Sequence, residues 1–281
     1  MEPVTSTPIA IGVELLIDIG NSTVVVAVME SDGTISRTWR FKTLKEQTMA
    51  YFRHELYTGS KKYQLRFSDV TDVAISSVVP EVNDDIAQAI SDLTGVHPRM
   101  FSFKDAARFL TIGVESPSQL GNDRLADAVG AVTTYGAPAI IIDMGTATTI
   151  SVIDRDRCFL GGMIIPGVKT SLNALSARAS QLPAINIEKP RHIIGRNTLE
   201  SMQSGTVYGT AAMIDGIIDR IMEESDLNLR DGDKMPHIIA TGGMAKVITP
   251  HCKHEIVVDQ LLIFKGLVNK LAGWHMGVVT A

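Results

Sequence analysis

Cysteine is scarce in this 281-residue sequence: the two present, Cys158 and Cys252, lie far apart and at no metal-ligand spacing. That removes a disulfide framework from consideration and fits a reduced compartment with unpaired thiols. Charge of one sign never accumulates either. The formal net charge is −5, without a long like-charged run, which argues against a nucleic-acid or membrane-surface partner held by bulk electrostatics. No apolar run approaches the ~20 residues that span a bilayer. Met1–Gly12 has two prolines and no basic residue, so it lacks the charged start of a signal peptide; it reads as an N-terminal extension of a soluble, cytoplasmic protein. The seven histidines form no pair at metal-ligand spacing on a helix face, and His251 and His254 flank Cys252 at the spacing of a solvated turn. Neither a Gly-x-Ser-x-Gly elbow nor a Gly-x-x-x-x-Gly-Lys-Ser loop occurs, so serine-hydrolase and P-loop readings lose their main support.

What is present is an ordinary globular composition, 45% hydrophobic and 20% charged, in which strand and helix patterns alternate. Glu14–Asp18, Val24–Glu30 and Thr34–Phe41 read as three successive strands. Helical spacing follows over Glu46–Gly59, a buried strand over Val70–Ser76 and a helix over Asn83–Thr94. After a helix over Asn122–Thr134 the series restarts: strands over Ala139–Asp143, Thr149–Asp154 and Cys158–Ile165, then a helix over Lys169–Gln181. Leu15-Leu16-Ile17-Asp18-Ile19-Gly20-Asn21-Ser22 is echoed by Ile140-Ile141-Ile142-Asp143-Met144-Gly145-Thr146-Ala147. One Asp-x-Gly turn means little, because such turns are common. Two, each inside a three-strand meander that leads to a helix, indicate an internal duplication, with halves at 13–122 and 123–281. Further on, Ser201–Met222 reads as a long helix with small residues at Gly205, Gly209 and Gly216, suited to close helix approach or to a ligand. Asn228–Pro236 reads as a polar surface loop, Pro236–Thr241 as a strand ending in Gly242-Gly243, and about Asp259–Trp274 as the last helix.

The two Asp-x-Gly turns are where chemistry concentrates. Tight turns expose backbone N–H groups, and glycine lets the chain approach a phosphate closely. Gly20-Asn21-Ser22-Thr23 and Gly145-Thr146-Ala147-Thr148 add hydroxyl donors, and Asp18 and Asp143 stand ready for cations. Facing each other, two such turns would clamp a nucleotide in a cleft between the halves; each alone is equally an ordinary hairpin with an Asp cap. Thr241-Gly242-Gly243 suits the adenosine side of such a cleft, or a simple strand-to-helix turn. Gly121-Asn122-Asp123-Arg124 opens a helix. Asp123 suits the positive end of the helix dipole, and beside Arg124 it equally suits a proton acceptor next to an anion-holding guanidinium.

In order and spacing, Asp18-Ile19-Gly20-Asn21-Ser22, Gly121-Asn122-Asp123-Arg124 and Asp143-Met144-Gly145-Thr146-Ala147-Thr148-Thr149 resemble the type III pantothenate kinases. Leu160–Gly167, Gly195-Arg196-Asn197-Thr198 and Thr241-Gly242-Gly243 extend the resemblance over nearly the whole chain. It implies an α/β fold of two ribonuclease-H-like domains in the actin and sugar-kinase superfold. The implied reaction is phosphorylation of pantothenate by ATP with Mg²⁺ and a monovalent cation, K⁺ or NH₄⁺, in a homodimer. It assigns ATP binding to Asp18, Ile19, Gly20, Asn21, Ser22, Thr23, Val24, Val25 and Thr146, and the monovalent cation to Asp143. Asp123 matches the proton acceptor, and Gly121, Asn122, Asp123, Arg124, Thr198 and the Val114 position match the pantothenate contacts. Val114 stands where the family commonly has a tyrosine, Asn122 where it has alanine, Asp127 where asparagine is expected and Ser22 where it usually has threonine. The missing hydroxyl at Val114 points to weak pantothenate affinity, with the Asn122 amide able to serve as a substitute donor; Ser22 keeps its hydroxyl. A kinase of another small hydroxy acid and a non-catalytic nucleotide-binding regulator are the alternative readings.

Overall fold

The apolar run Val13–Ile19 (strand β1) has Leu15, Leu16 and Ile17 wholly buried, as expected of a strand covered on both faces. The computed structural model describes residues 12–275 apart from 47, 225–226 and 228–234, with side chains described through 268. The expected N-terminal extension and most of the expected 228–236 loop lie outside these residues. Two compact units are distinguished, one running to Phe101 and joined by the chain from Lys270 on, the other spanning Ser102–Asn269.

In the first unit β1 pairs antiparallel with β2 (Thr23–Met29), and β2 with β3 (Ile35–Lys42). After α1 (Met49–Lys62), β4 (Val70–Ser77) returns parallel to β1; α2 (Asn83–Thr94) then leads to β5 (Arg99–Met100). The sheet order is β3-β2-β1-β4-β5. Phe52 and Leu56 of α1 and Ile86, Ala89 and Ile90 of α2 pack on Leu15, Ile17, Ile19, Val73 and Ile75. That core is the helical 3.6 period meeting the strand period of two.

The second unit opens with α3 (Phe103–Ala106), where the Asp105 carboxylate accepts from Ser102 N (2.8 Å) and Ser102 Oγ (2.6 Å). Then come β6 (Thr111–Ile112), α4 (Asn122–Thr134), β7 (Ala139–Met144), β8 (Ala147–Ile153), β9 (Cys158–Pro166), α5 (Val168–Arg178) and α6 (Thr198–Glu223). β10 (His237–Thr241), α7 (Ala245–Ile248), β11 (Val257–Val258) and α8 (Leu262–His275) complete the order. The sheet runs β11-β10-β7-β8-β9-β6. Its β9-β8-β7-β10-β11 part repeats β3-β2-β1-β4-β5 in pairing sense, two antiparallel partnerships followed by two parallel ones. Residues 102–122, placed in the first half by the sequence reading, belong by contact to the second unit. The reason is hydrogen bonding: β6 pairs with β9, Thr111 N donates to Arg157 O and Gly113 N to Phe159 O (both 3.0 Å).

Small residues bring two helices of this unit together, though not the ones the sequence suggests. A Cβ at Gly130 of α4 would lie 2.2 Å from Leu262 O, and one at Gly266 of α8 would lie 1.9 Å from Ala126 O. Glycine at both positions therefore lets α4 and α8 approach backbone to backbone. A Cβ at Gly205, Gly209 or Gly216 of α6 meets nothing within 4 Å, so those glycines are not required for close helix packing.

Candidate active site

In the first unit the strand-end carboxylate Asp18 lies opposite Val25 on β2 and Ser76 on β4. The chain turns at once, with Gly20 N donating to Thr23 O (3.1 Å). Thr43, just past β3, ties the turn down twice: its N–H donates to Ser22 O (3.1 Å) and its hydroxyl to Gly20 O (2.6 Å). Asn21 and Ser22 are thereby held at an exposed tip, whereas the side chains of Ile19 and Val24 are wholly buried in the core. Any nucleotide contact at those two positions is through the backbone. Val25 and Thr23 are half-buried.

The second unit repeats the device. Asp143 lies opposite Thr149 on β8 and Thr241 on β10. Gly145 N donates to Ala147 O (3.0 Å), closing a turn one residue shorter than the first. Its anchors come from the chain after β9: Gly167 N (3.1 Å) and Thr170 Oγ1 (2.7 Å) both donate to Thr146 O, leaving Thr146 itself exposed. A Cβ at Gly167 would sit 2.3 Å from Thr146 O and 2.4 Å from Gly145 O, so only glycine fits beneath this turn.

Asp123 and Arg124 enter the same unit from the first turn of α4, with Gly121 as the N-cap. Asp123 Oδ1 accepts from Arg124 N (2.7 Å). Burial pushes the Asp123 carboxyl above the usual carboxylate range, against the opposing pull of that hydrogen bond and of the Arg124 charge. Burial also lowers Arg124, partly offset by Asp123. The guanidinium is held in place: Nε donates to Ser151 Oγ (3.1 Å), one terminal nitrogen to Ile150 O (3.2 Å), and its Cζ lies 5.5 Å from the Phe159 ring centroid. A Cβ at Gly162 would meet Ile150 O at 1.7 Å and that same terminal nitrogen at 2.9 Å. Glycine there makes room for the arginine on β8.

Asp143 completes the group. Desolvation first, and then the Asp123 carboxylate, push it up to about 7. A carboxylate whose ionisation burial and a neighbouring carboxylate both disfavour marks a place that a cation would stabilise. Among the described residues no group of three or more His, Cys, Asp or Glu is placed to hold a metal. Thr149 and Thr241 lie opposite Asp143 on β8 and β10, so this strand end gathers carboxylate and hydroxyl oxygens, donors that suit a hard cation rather than a transition metal.

Of the other expected contacts, Val114 is half-buried and lies near Gly161, where a Cβ would be 3.8 Å from Val114 Cγ1. Asn122 is half-buried and Asp127 buried, both on α4. Thr198 is the first residue of α6, fixed there because Asn197 Oδ1 accepts from Glu200 N (2.9 Å) while a Glu200 oxygen accepts from Arg196 N (3.1 Å). It lines a cavity of about 680 Å³ between α5 and α6, with Thr148, Ile165, Leu172, Met202 and Gly209. Asp123, Arg124 and Val114 are not among that cavity's lining residues. Sequence reading missed the anchors Thr43, Thr170 and Ser151, because nothing local to a hydroxyl announces a partner some 25 residues away.

Residues 14–220 match the family model described as type III pantothenate kinase. A protein of that name from Shouchella clausii (strain KSM-K16) is 39% identical over 253 residues, 90% of this chain and 96% of the relative. Another, from Halalkalibacterium halodurans, is 36% identical over the same shares. Among solved structures, the activator of the 2-hydroxyisocaproyl-CoA dehydratase from Clostridium difficile with bound ADPNP aligns with a TM-score of 0.54. It is 12% identical and covers 96% of this chain and 100% of its own. The ethanolamine utilization protein EutJ from Carboxydothermus hydrogenoformans aligns at 0.50, 13% identical, covering 94% and 91%. At such identities the likeness is one of fold alone, an α/β architecture with a repeated mixed sheet.

Proposed function

Since the chain belongs to the type III pantothenate kinase family, we propose that it transfers the γ-phosphoryl of ATP to the primary hydroxyl of pantothenate. The product is 4′-phosphopantothenate, and the reaction is the first step of coenzyme A biosynthesis. Phosphoryl transfer has a loose transition state, so the protein's work is alignment and charge neutralisation. In this reading the ATP-binding residues are Asp18–Val25 and Thr146, each turn offering N–H groups and hydroxyls to phosphate oxygens. Mg²⁺ would be brought by ATP and would offset phosphate charge, needing few protein ligands because it retains waters. Asp143 would hold K⁺ or NH₄⁺, and that ion would supply positive charge to offset the phosphates.

Asp123 accepts the proton of the pantothenate hydroxyl. Its raised pKa brings a carboxylate nearer the working pH, which favours a general base. Arg124, locked on Ser151 and Ile150, offers a fixed charge to the pantothenate carboxylate, with Gly121, Asn122 and Val114 around it. Valine supplies no hydroxyl at its position, which weakens pantothenate affinity without abolishing it. The single observation that carries this reading is the start of α4, which sets Asp123 beside a guanidinium immobilised on Ser151 and Ile150 of β8, the strand paired with the one that carries Asp143.

Thr198 and the homodimer belong together in this reading. Ile164, Ile193 and Ile194 are 70%, 69% and 80% exposed, and Met163, Leu175 and Leu199 are exposed as well. An apolar concentration of this kind within 163–199 is what a subunit interface covers. No helix among the described residues is long and apolar enough to cross a membrane. The direct test is incubation with ATP, magnesium, potassium and pantothenate. A product with the mass of phosphopantothenate is expected; ATP turnover without it would point to another hydroxy acid.

A further inference from the structure

The Gly242 turn closes directly over Asp143. Gly242 has φ +84°, and a Cβ there would lie 2.4 Å from Asp143 Oδ1 and 2.7 Å from Met144 N. The following residues hold the approach, since Met244 N donates to Met144 O (3.3 Å). On the other side of the turn, Gln260 Nε2 donates to Gly242 O (3.0 Å). Gln260 is itself on a fixed segment. Asp259 N donates to Ala240 O (2.9 Å), and the buried Asp259 carboxylate accepts from Leu261 N (3.0 Å), Tyr135 Oη (2.8 Å) and Lys265 Nζ (2.6 Å). Tyr135 stands just past α4, the helix with Asp123 in its first turn, and Lys265 is in α8, which meets α4 glycine to backbone.

We propose that Gln260 is a positioning residue for Asp143: its amide fixes the left-handed Gly242 turn at the distance that keeps the Asp143 carboxylate aimed for a cation. The proposal rests on the reading of Asp143 as the monovalent-cation ligand. Losing the amide donor frees the Gly242 carbonyl, lets the turn relax away from β7 and loosens the carboxylate beneath it. The effect falls on potassium and nucleotide, because Arg124 is held by β8 and not by this turn.

Gln260→Met keeps the side chain's length and removes the donor; Gln260→Glu keeps its shape and faces the Gly242 carbonyl with an acceptor. Both are compared with Asp143→Asn for MgATP binding by calorimetry in potassium and in sodium chloride, and for steady-state kinetics. The expected result is a potassium half-activation concentration raised about two- to tenfold in Gln260→Met, the range set by one neutral hydrogen bond. Gln260→Glu is affected at least as much, the potassium advantage in MgATP binding shrinks, and the KM for pantothenate stays within about twofold. If Gln260→Met does not fold, Gln260→Asn, whose amide stops one methylene short, takes its place. Unchanged potassium dependence in a folded Gln260 variant, with Asp143→Asn altered, overturns the proposal alone. Unchanged potassium dependence in Asp143→Asn overturns both it and the cation assignment beneath it.

Discussion

The two units carry one wiring pattern and two different loads. In both, a strand ends in Asp-x-Gly, and the chain turns back into an antiparallel partner. In both, a threonine hydroxyl from beyond the third strand ties the turn down, Thr43 onto Gly20 O and Thr170 onto Thr146 O. The second copy adds what the first lacks. Its turn is one residue shorter and rests on Gly167, a glycine turn from β10 lies on its carboxylate, and a helix start delivers Asp123 and Arg124. The repeated wiring supplies an Asp-x-Gly turn twice; the crowding around one copy makes a desolvated acid site. The teaching is that equal motifs become unequal through their neighbours.

The sharpest way to break this comparison is to remove each carboxylate in turn. Asp143→Asn should cost turnover by about 10²-fold or more, the order of losing one preorganised electrostatic contact, and abolish the response to potassium. Asp18→Asn should act chiefly on the KM for ATP. Equal kinetic signatures in the two variants would mean that the units share the load evenly.

Glycine separates the copies next. Gly167→Ala drives a methyl into two carbonyls and should destabilise the protein by about 1–3 kcal/mol, the usual cost of overpacking. At Gly20 a Cβ meets only Thr23 O, at 3.3 Å, so Gly20→Ala should move the melting temperature much less. Thermal unfolding of the two variants decides the point.

Much of this was legible in the sequence, for identifiable reasons. Asn83–Thr94 and Asn122–Thr134 are helical over the spans their periodicity predicts, because each has a complete apolar stripe. Asp18 and Asp143 were legible as a pair because the strand pattern around them repeats. α6 begins at Thr198 rather than Ser201 because the Asn197–Glu200 cap, not the apolar stripe, sets its start. β5, β6 and β11, two residues each, are too short to show a period. Likewise the last helix begins at Leu262, since Asp259 is occupied in binding β10 and Leu261. The Gln260 hydrogen bond and the glycine-to-backbone contact of α4 with α8 join segments far apart in the chain, where no local pattern reaches.

A smaller effect sharpens the electrostatic half of the comparison. Asp143 binds its proton up to about pH 7 when folded but only to the ordinary carboxylate range near 3.8 when unfolded. Between those values the native state holds the extra proton, so in buffer free of potassium and nucleotide its stability falls as pH rises, and levels off above about 7. Asp143→Asn should flatten that decline, measured as melting temperature against pH; an unchanged slope would place the titrating group elsewhere. Smallest of all, Thr43→Val removes one hydroxyl anchor of the first turn. It should cost about 0.5–1.5 kcal/mol and raise the KM for ATP while leaving potassium dependence alone.

The most direct test of the central claim, that the second unit supplies the base for transfer to pantothenate, is a single-turnover measurement on Asp123→Asn. Labelled phosphopantothenate formation from γ-labelled ATP would be followed with ATP affinity measured on the same sample. The account predicts a rate lower by about 10²- to 10⁴-fold, the worth of a positioned general base, with ATP bound as tightly as by the native protein. Transfer at near-native rate in that variant would contradict it.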